Sequence, residues 1–343
     1  VTTPIVWLVV PAGFDHPDRV SGGNVYDQRV AAGLRALGWD VRLVEVDREV
    51  FSVPDPFGEL PAGGLVLVDG LVATYLPAAV GIAARRLRVV LLAHMLVAAF
   101  PDADARAVDA ERRALAPAHR IIAVSVWLRD ELVQRGLGTA EHTSVATPGA
   151  DVAPIAEGTP TGGSLLCVGT VAPHKGQDTL IQALIELGSG ATWTCTIAGS
   201  GAVAPGFADR VAADAARAGL SERIAWAGVL GRKELDGAYD RADVLVAPSR
   251  TESYGIAVGD ALRRGIPVIA SRVGGIPEAA QPADAAILVP PQDPAALALA
   301  LRRWIEDPAL RTRMSAAATR AAPHRREWSD TAKDVHTVLA ALT

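Results

Sequence analysis

The sequence predicts an α/β chain of two Rossmann-like, doubly wound domains facing each other across a cleft. Three observations predict it. Short runs rich in valine, isoleucine and leucine alternate with amphipathic stretches along all 343 residues, the pattern of parallel strands covered by helices on both faces. A stretch rich in proline, glycine and threonine, "DVAPIAEGTPTGGS", divides the chain near its middle, where a linker is expected. Half of the residues are hydrophobic and only 5% are aromatic, so the chain has enough apolar material for two cores, built from Ala, Val, Leu and Ile.

In chain order, "IVWLVV", "VRLVEV", "GLVLVDG", "RVVLLAH", "RIIAVS" and "HTSVAT" read as the strands of an N-terminal domain, residues 1–157. Their apolar runs are continuous rather than alternating, as in strands buried on both faces. Between them lie helical patterns such as "VYDQRVAAGLRALG", placed as a helix over Val25–Leu37, and "ARAVDAERRALAP". After the linker, "SLLCVG", "WTCTIAG", "RIAWAG", "VLVAPS", "PVIAS" and "AAILVP" give a second set of strands in a domain over residues 158–322. The amphipathic end, residues 323–343, begins at Pro323 and could cap either domain, crossing back to the N-terminal one in the second case. Doubly wound sheets bind ligands beyond the carboxyl ends of their strands, so functional residues are sought just after strands.

A net charge of −5 argues against nucleic-acid binding. No apolar run reaches the ~18–20 residues that span a bilayer. The opening "VTTPIVWLVVPAG" lacks the basic start of a signal peptide and reads as a buried first strand. Cys167 and Cys195 fall in apolar strand runs, as buried reduced thiols do. A cytoplasmic, bacterial chain is expected. Thirty of the basic residues are arginine and three are lysine, Lys175, Lys233 and Lys333, which makes each lysine worth a question.

Several motifs follow strands. "SGGN", Ser21 to Asn24, precedes the first helix, where paired glycines let an anion approach backbone N–H groups; an ordinary turn with Asn24 near the cap is the plainer reading. "CVGTVAPHKGQDTL" carries Lys175 into a helix, but His174 and Gly176 stand where a Walker loop has glycine and a hydroxyl, which excludes that site. A cation at a helix start opposes the dipole unless an anion shares the site. Gly199-x-Gly201-x-x-Ala204 is a weak dinucleotide fingerprint, with Pro205-Gly206 interrupting the helix start and no ribose-binding acid after the next strand. Asp102-x-Asp104 reads as a helix cap before it reads as a metal motif. His94 ends "RVVLLAH" and points into the expected cleft. Arg85, Arg86 and Arg88 could touch an anionic lipid or form a solvated helix end. In "APSRTESYGIAVGDALRRG", Glu252 precedes a helix start at Tyr254-Gly255-Ile256-Ala257, and Asp260 lies about two turns in. Amides around Gly255 suit a diphosphate and the two acids suit hydroxyls on either side, the pattern of a sugar nucleotide.

These residues strongly resemble the retaining family 4 glycosyltransferases of the GT-B fold. The match rests on Glu252 and Asp260 separated by seven residues, followed by "GIPVIAS" and "VGGIPE". It extends through "SGGN", "IIAVS", "TPGAD", "VGTVAPHKG", "IAGSG" and "YDRADVLVAPS". The resemblance implies a nucleotide-sugar donor domain at residues 158–322 and an acceptor-side domain at 1–157. It implies that Gly22 and Gly23 line the donor phosphate, Lys175 neutralises the diphosphate and Glu252 holds the transferred sugar. It assigns backbone amides to Tyr254, Gly255, Ile256 and Ala257, the ribose to Asp260, the base to Val229, a place near the reacting sugar to His94 and a share of the acceptor to Asn24. It implies a hexosyltransferase retaining anomeric configuration, with UDP-sugar favoured over GDP-sugar, no metal or other cofactor, and a small-molecule, glycan or lipid-linked acceptor. Two positions depart from the family. Thr170, counted with the donor site, stands where an arginine is frequent, so a phosphate-binding charge is missing unless His174 or another residue replaces it. Asp260 stands where glutamate is usual. An NAD(P)-dependent oxidoreductase and a non-catalytic sugar-nucleotide-binding protein are the alternatives.

Overall fold

The structure, a computed structural model, describes residues 3–17, 20–47, 55–100, 102–188 and 192–343. Its contacts divide the chain into two units, Val1–Gly149 with Arg326–Thr343, and Ala150–Arg325.

Unit 1 runs β1 (Ile5–Pro11), α1 (Gly22–Ala36), β2 (Asp40–Val46), β3 (Leu65–Asp69), α2 (Gly70–Tyr75), α3 (Pro77–Ala83), β4 (Arg88–Ala93), α4 (Ala105–Leu115), β5 (Arg120–Ala123), α5 (Val126–Gln134) and β6 (Thr143–Val145). The strands form a parallel sheet in the order β2-β1-β3-β4-β5-β6. Every residue of β3 is buried and five of six in β4, which explains why their sequences show no alternation. Helix α1 starts at Gly22, three residues before the position read from the sequence. Glycine hides a helical first turn from a propensity argument, but the Ser21 hydroxyl accepts from the Asn24 amide at 3.1 Å and fixes that turn. Ser21, not Asn24, is therefore the cap.

Unit 2 runs β7 (Ser164–Val168), α6 (Gln177–Leu187), β8 (Thr194–Ala198), α7 (Pro205–Arg217), β9 (Ile224–Gly228), α8 (Arg232–Asp240), β10 (Val244–Ala247), α9 (Ile256–Arg263), β11 (Val268–Ser271), α10 (Ile276–Ala279), β12 (Ala286–Val289), α11 (Pro294–Glu306) and α12 (Pro308–Ala321). Its parallel sheet has the order β12-β11-β10-β7-β8-β9. The core is mostly aliphatic, with Trp193, Phe207 and Trp304 as its aromatic members. Pro205 does not interrupt α7. It occupies the first position, where a missing N–H has no helical partner to lose.

The linker belongs to unit 2 from Ala150 onward, earlier than the 157/158 boundary read from composition. The reason is hydrogen bonding: Ala156 N donates to Arg264 O and Gly158 N to Asp240 O, both at 2.9 Å, while Asp151 pairs with Arg232. The last helix, α13 (Trp328–Ala340), packs on α1 within unit 1. Gly33 permits the close approach, since a Cβ there would lie 2.3 Å from that of Ala332. Trp39 Nε1 donates to His336 Nδ1 at 2.8 Å beside that contact. Among the described residues, no helix is long and apolar enough to cross a membrane. Cys167 and Cys195 lie buried in β7 and β8 as free thiols, and burial pushes the Cys167 thiol up to about 12.

Candidate functional site

In unit 2 the strand order reverses between β7 and β10, and such a switch point is where open α/β sheets receive ligands. The chain leaving β7 passes Thr170 and forms a 3₁₀ turn, Pro173–Lys175, before α6. Gly176 links turn and helix with φ of 70°, and a Cβ there would sit 2.2 Å from Pro248 O. Only glycine lets this turn close onto the end of β10. Lys175 thus lies in the turn ahead of α6 rather than in the helix, and its ammonium forms an ion pair with the Glu252 carboxylate. The two side chains are only 24% and 17% exposed, so each reduces the cost of desolvating the other.

Arg250 braces the same turn. Its backbone amide donates to His174 O at 2.8 Å, and its guanidinium donates to Pro173 O at 2.8 Å and to Asp178 at 2.5 Å. His174 sits in the same turn. Burial, then the nearby Lys175 charge, push its imidazole down to about 4, so it is neutral near pH 7. Thr170 contributes its carbonyl to Gln177 Nε2 at 3.0 Å.

Glu252 is fixed by the "VGGIPE" turn. Gly275 N donates to Glu252 O at 3.0 Å, and a Cβ on Gly274, whose φ is 53°, would fall 1.8 Å from that oxygen. Gly255 caps α9 with φ of 102°, after the buried Tyr254 and before Ile256 and Ala257 in the first turn. Val258 N and Gly259 N both donate to Gly255 O, at 3.0 and 3.1 Å, so it is the amides of Ile256 and Ala257 that have no acceptor within the helix. Asp260 is the fifth residue of α9, little more than one turn in rather than two. Its charge acts on the buried Tyr239 and on Arg325. Val229 follows β9, the edge strand two positions from β7.

In unit 1 the order reverses between β1 and β3, and there three side chains converge. His94 follows β4, and its Nε2 lies 2.8 Å from Asp27 Oδ1 on α1 and 3.3 Å from Asp69 Oδ2 at the end of β3. The other Asp69 oxygen caps α2, accepting from Leu71 N at 2.7 Å and Val72 N at 3.0 Å. The ring packs against Gly23, where a Cβ would meet His94 Cδ2 at 3.4 Å. Burial alone would lower the imidazole pKa, but the Asp27 charge and hydrogen bond, then Asp69, outweigh it and hold the ring near about 10. Burial pushes the Asp27 carboxyl up, to about 7, against the pull of His94. Burial opposes ionisation of Asp69 as well, but the hydrogen bond from His94 leads the contacts that bring it below the usual carboxylate range. These three groups are also close enough to share a small cation. The short Nε2–carboxylate distances describe a hydrogen-bonded cluster instead.

Residues 159–321, close to half of the chain, match the family described as "Glycosyl transferases group 1". A D-inositol 3-phosphate glycosyltransferase of Streptomyces avermitilis is 32% identical over 241 residues, 64% of this chain and 51% of that protein. The chain thus spans about half the length of the curated relatives it matches. In three dimensions it is similar to sucrose-phosphate synthase from Thermosynechococcus elongatus, with TM-score 0.82, 20% identity and 99% of each chain covered. It is also similar to Anabaena HepE in complex with UDP-glucose, with TM-score 0.78 and 17% identity over 98% of this chain and 99% of that one. These likenesses give the two-domain α/β fold of the GT-B class.

The structure brings Lys175 to Glu252 in unit 2 and His94 to Gly23 in unit 1. Sequence reading missed Asp27, Asp69 and Arg250. An available signal for Asp27 was its place among Tyr26, Val30, Ala31 and Leu34, an acid on the buried face of an amphipathic helix. Asp69 ends an otherwise wholly apolar strand. Gly199 is explained by packing, since a Cβ there would be 2.0 Å from Gly169 O. Asp104 is a helix cap, accepting from Ala107 N at 3.3 Å. Arg86 is engaged with the carbonyls of Phe57, Gly58 and Leu60, which removes it from a lipid-facing cluster.

Proposed function

We propose that the chain is a retaining, metal-independent glycosyltransferase acting in the cytoplasm. It moves a hexosyl group from a nucleotide diphosphate sugar to a hydroxyl acceptor. The observation that carries this reading is the Lys175–Glu252 pair at the β7/β10 switch point, in the unit that matches the family. Lys175 takes the diphosphate as it departs, and the first turn of α9 adds backbone N–H groups. This is electrostatic preorganisation aimed at charge that grows in the transition state. Glu252 accepts from sugar hydroxyls, Asp260 from the ribose, and Val229 lies beside the base.

In the transfer, the bond between the anomeric carbon and the phosphate oxygen breaks while the acceptor oxygen bonds to that carbon on the same face. The acceptor's proton passes to the departing phosphate. UDP is the first base to test, because HepE holds UDP-glucose, and a cyclic polyol phosphate is the first acceptor, from the relatives' activity. Lys175→Ala should keep its fold by circular dichroism and lose ~2–4 kcal/mol of transition-state stabilisation, a ~30- to 10³-fold fall in kcat. Near-normal turnover in that variant would remove Lys175 from the phosphate site.

A further inference from the structure

The turn that carries Lys175 is held from outside itself. It closes Lys175 N on Ala172 O at 2.9 Å and Gly176 N on Pro173 O at 3.2 Å. Helix α6 starts its own ladder with Leu180 N on Gly176 O at 3.1 Å, so Pro173 O and His174 O lie ahead of it and need partners elsewhere. Both find them on the loop after β10. Arg250 N and Thr251 N donate to His174 O, at 2.8 and 3.3 Å, and the Arg250 guanidinium donates to Pro173 O at 2.8 Å. The same guanidinium reaches Asp178 Oδ2, in the first turn of α6, at 2.5 Å. Glu252, two residues after Arg250, takes the Lys175 ammonium. One loop thus grips the backbone of the turn at residue 250 and its side chain at residue 252.

The Arg250–Asp178 pair is a poor source of stability. The two side chains are 27% and 28% exposed, and Arg250 Nε and Asp178 Oδ1 are buried with no hydrogen-bond partner among the described residues. A half-satisfied pair gains little over water. Its effect is geometric, since it bridges the β10 loop and α6 across the turn between them. Gln177, buried beside Asp178, fastens only the segment entering the turn, through Thr170 O at 3.0 Å and Ala172 N at 3.3 Å.

We propose that Arg250 and Asp178 are positioning residues, whose bridge from the loop after β10 to the first turn of α6 holds the Pro173–Lys175 turn and so fixes the place of the Lys175 ammonium. The holding of the turn rests on unit 2 alone. Its consequence for the reaction rests on the glycosyltransferase reading, in which Lys175 meets the departing diphosphate. A fixed cation stabilises growing charge without reorganising, whereas a mobile one must first be ordered. Loss of the bridge therefore lowers kcat more than it raises the donor KM. Arg250 acts through Lys175, so its effect on the rate disappears once Lys175 is removed.

Because lysine is rare in this chain, the placement of Lys175 can be measured directly. The full chain, Arg250→Ala, Asp178→Ala and Asp178→Asn are exposed to a limiting amine-acetylating reagent. Acetylation of Lys175 is read by peptide mass spectrometry against the exposed Lys333 in the same sample. Losing a charged hydrogen bond raises the open population of a local segment about tenfold, so Lys175 should react about tenfold faster, relative to Lys333, in both alanine variants. Asp178→Asn keeps an acceptor oxygen for Arg250 and should stay within about threefold of the parent. Should Arg250→Ala lose its fold by circular dichroism, the two variants at 178 decide alone. In the transfer assay, Arg250→Ala should lower kcat by about tenfold while donor KM changes less than about threefold. In a Lys175→Ala background the same substitution should change kcat by less than about twofold, which a general loosening of the unit would not produce. Parent-like acetylation of Lys175 in the alanine variants overturns the proposal, since Gln177 would then suffice to hold the turn. So do equal effects of alanine and asparagine at 178, which would point to the charge at the start of α6 instead of the bridge. An additive loss in the double variant overturns it as well. The acetylation needs no turnover, so a parent that transfers no sugar but shows the expected pattern sinks only the functional reading.

Discussion

Lys175 and Glu252 lie 77 positions apart and meet because the turns after β7 and β10 emerge side by side. Lysine was already the rarer cation of this chain, and Glu252 followed a strand, so both were legible. Their mutual ion pair was not, because no local pattern reports a contact between two loops. Asp27 was hidden for a different reason: a charge on a buried helical face is visible only once that face is known to be buried. His94 has a consequence for stability. Its folded-state pKa, about 10, lies above the ordinary 6.5, so the folded chain holds more protons than the unfolded one between those values. Its contribution is fully present below about pH 6.5 and is lost as pH rises through about 10. Urea midpoints should therefore decline more steeply from neutral to alkaline pH in the parent than in His94→Asn, and parallel curves would contradict the imidazolium. Asp260→Ala should weaken UDP binding by ~1.5–3 kcal/mol, as for a lost charged hydrogen bond. Calorimetry showing unchanged affinity for both UDP and GDP would remove Asp260 from the ribose.

At the scale of elements, the site depends on backbone approaches that only glycine allows. Gly176 lets the Lys175 turn reach Pro248, and Gly274 lets the segment after β11 reach Glu252. The sequence shows both glycines but not their partners, which lie on other strands. Gly274→Ala combines a positive φ with a Cβ inside contact distance of Glu252 O. It should destabilise the protein by more than ~1 kcal/mol and lower transfer more than an alanine at Gly81 does, where a Cβ meets nothing within 4 Å. Equal melting temperatures and rates for the two variants would refute the link between this turn and Glu252. Helix starts were the least legible element boundaries. The first turn of α1 is built from two glycines that argue against helix, and Ser21 overrides them with one hydrogen bond. At α7 a proline read as an interruption is the first helical residue.

Over the whole molecule, the twelve strands among the described residues were readable because parallel strands, most of them buried, are continuous apolar runs, and each predicted run contains one. Their order across each sheet was not readable, yet that order decides the chemistry. It puts the ends of β7 and β10 together in unit 2 and those of β1 and β3 together in unit 1. The N-terminal unit lies wholly outside the family match, which covers residues 159–321, so the activity of the chain must be tested on the chain as a whole. The most direct measurement is release of nucleoside diphosphate from a panel of UDP-, GDP- and ADP-sugars by the purified protein in the presence of a chelator. Candidate polyol acceptors are added in turn, and products are read by mass spectrometry. The account predicts release from one donor class, faster with acceptor, undiminished by the chelator and nearly abolished in Lys175→Ala. Binding of NADH with no release from any nucleotide sugar would contradict it.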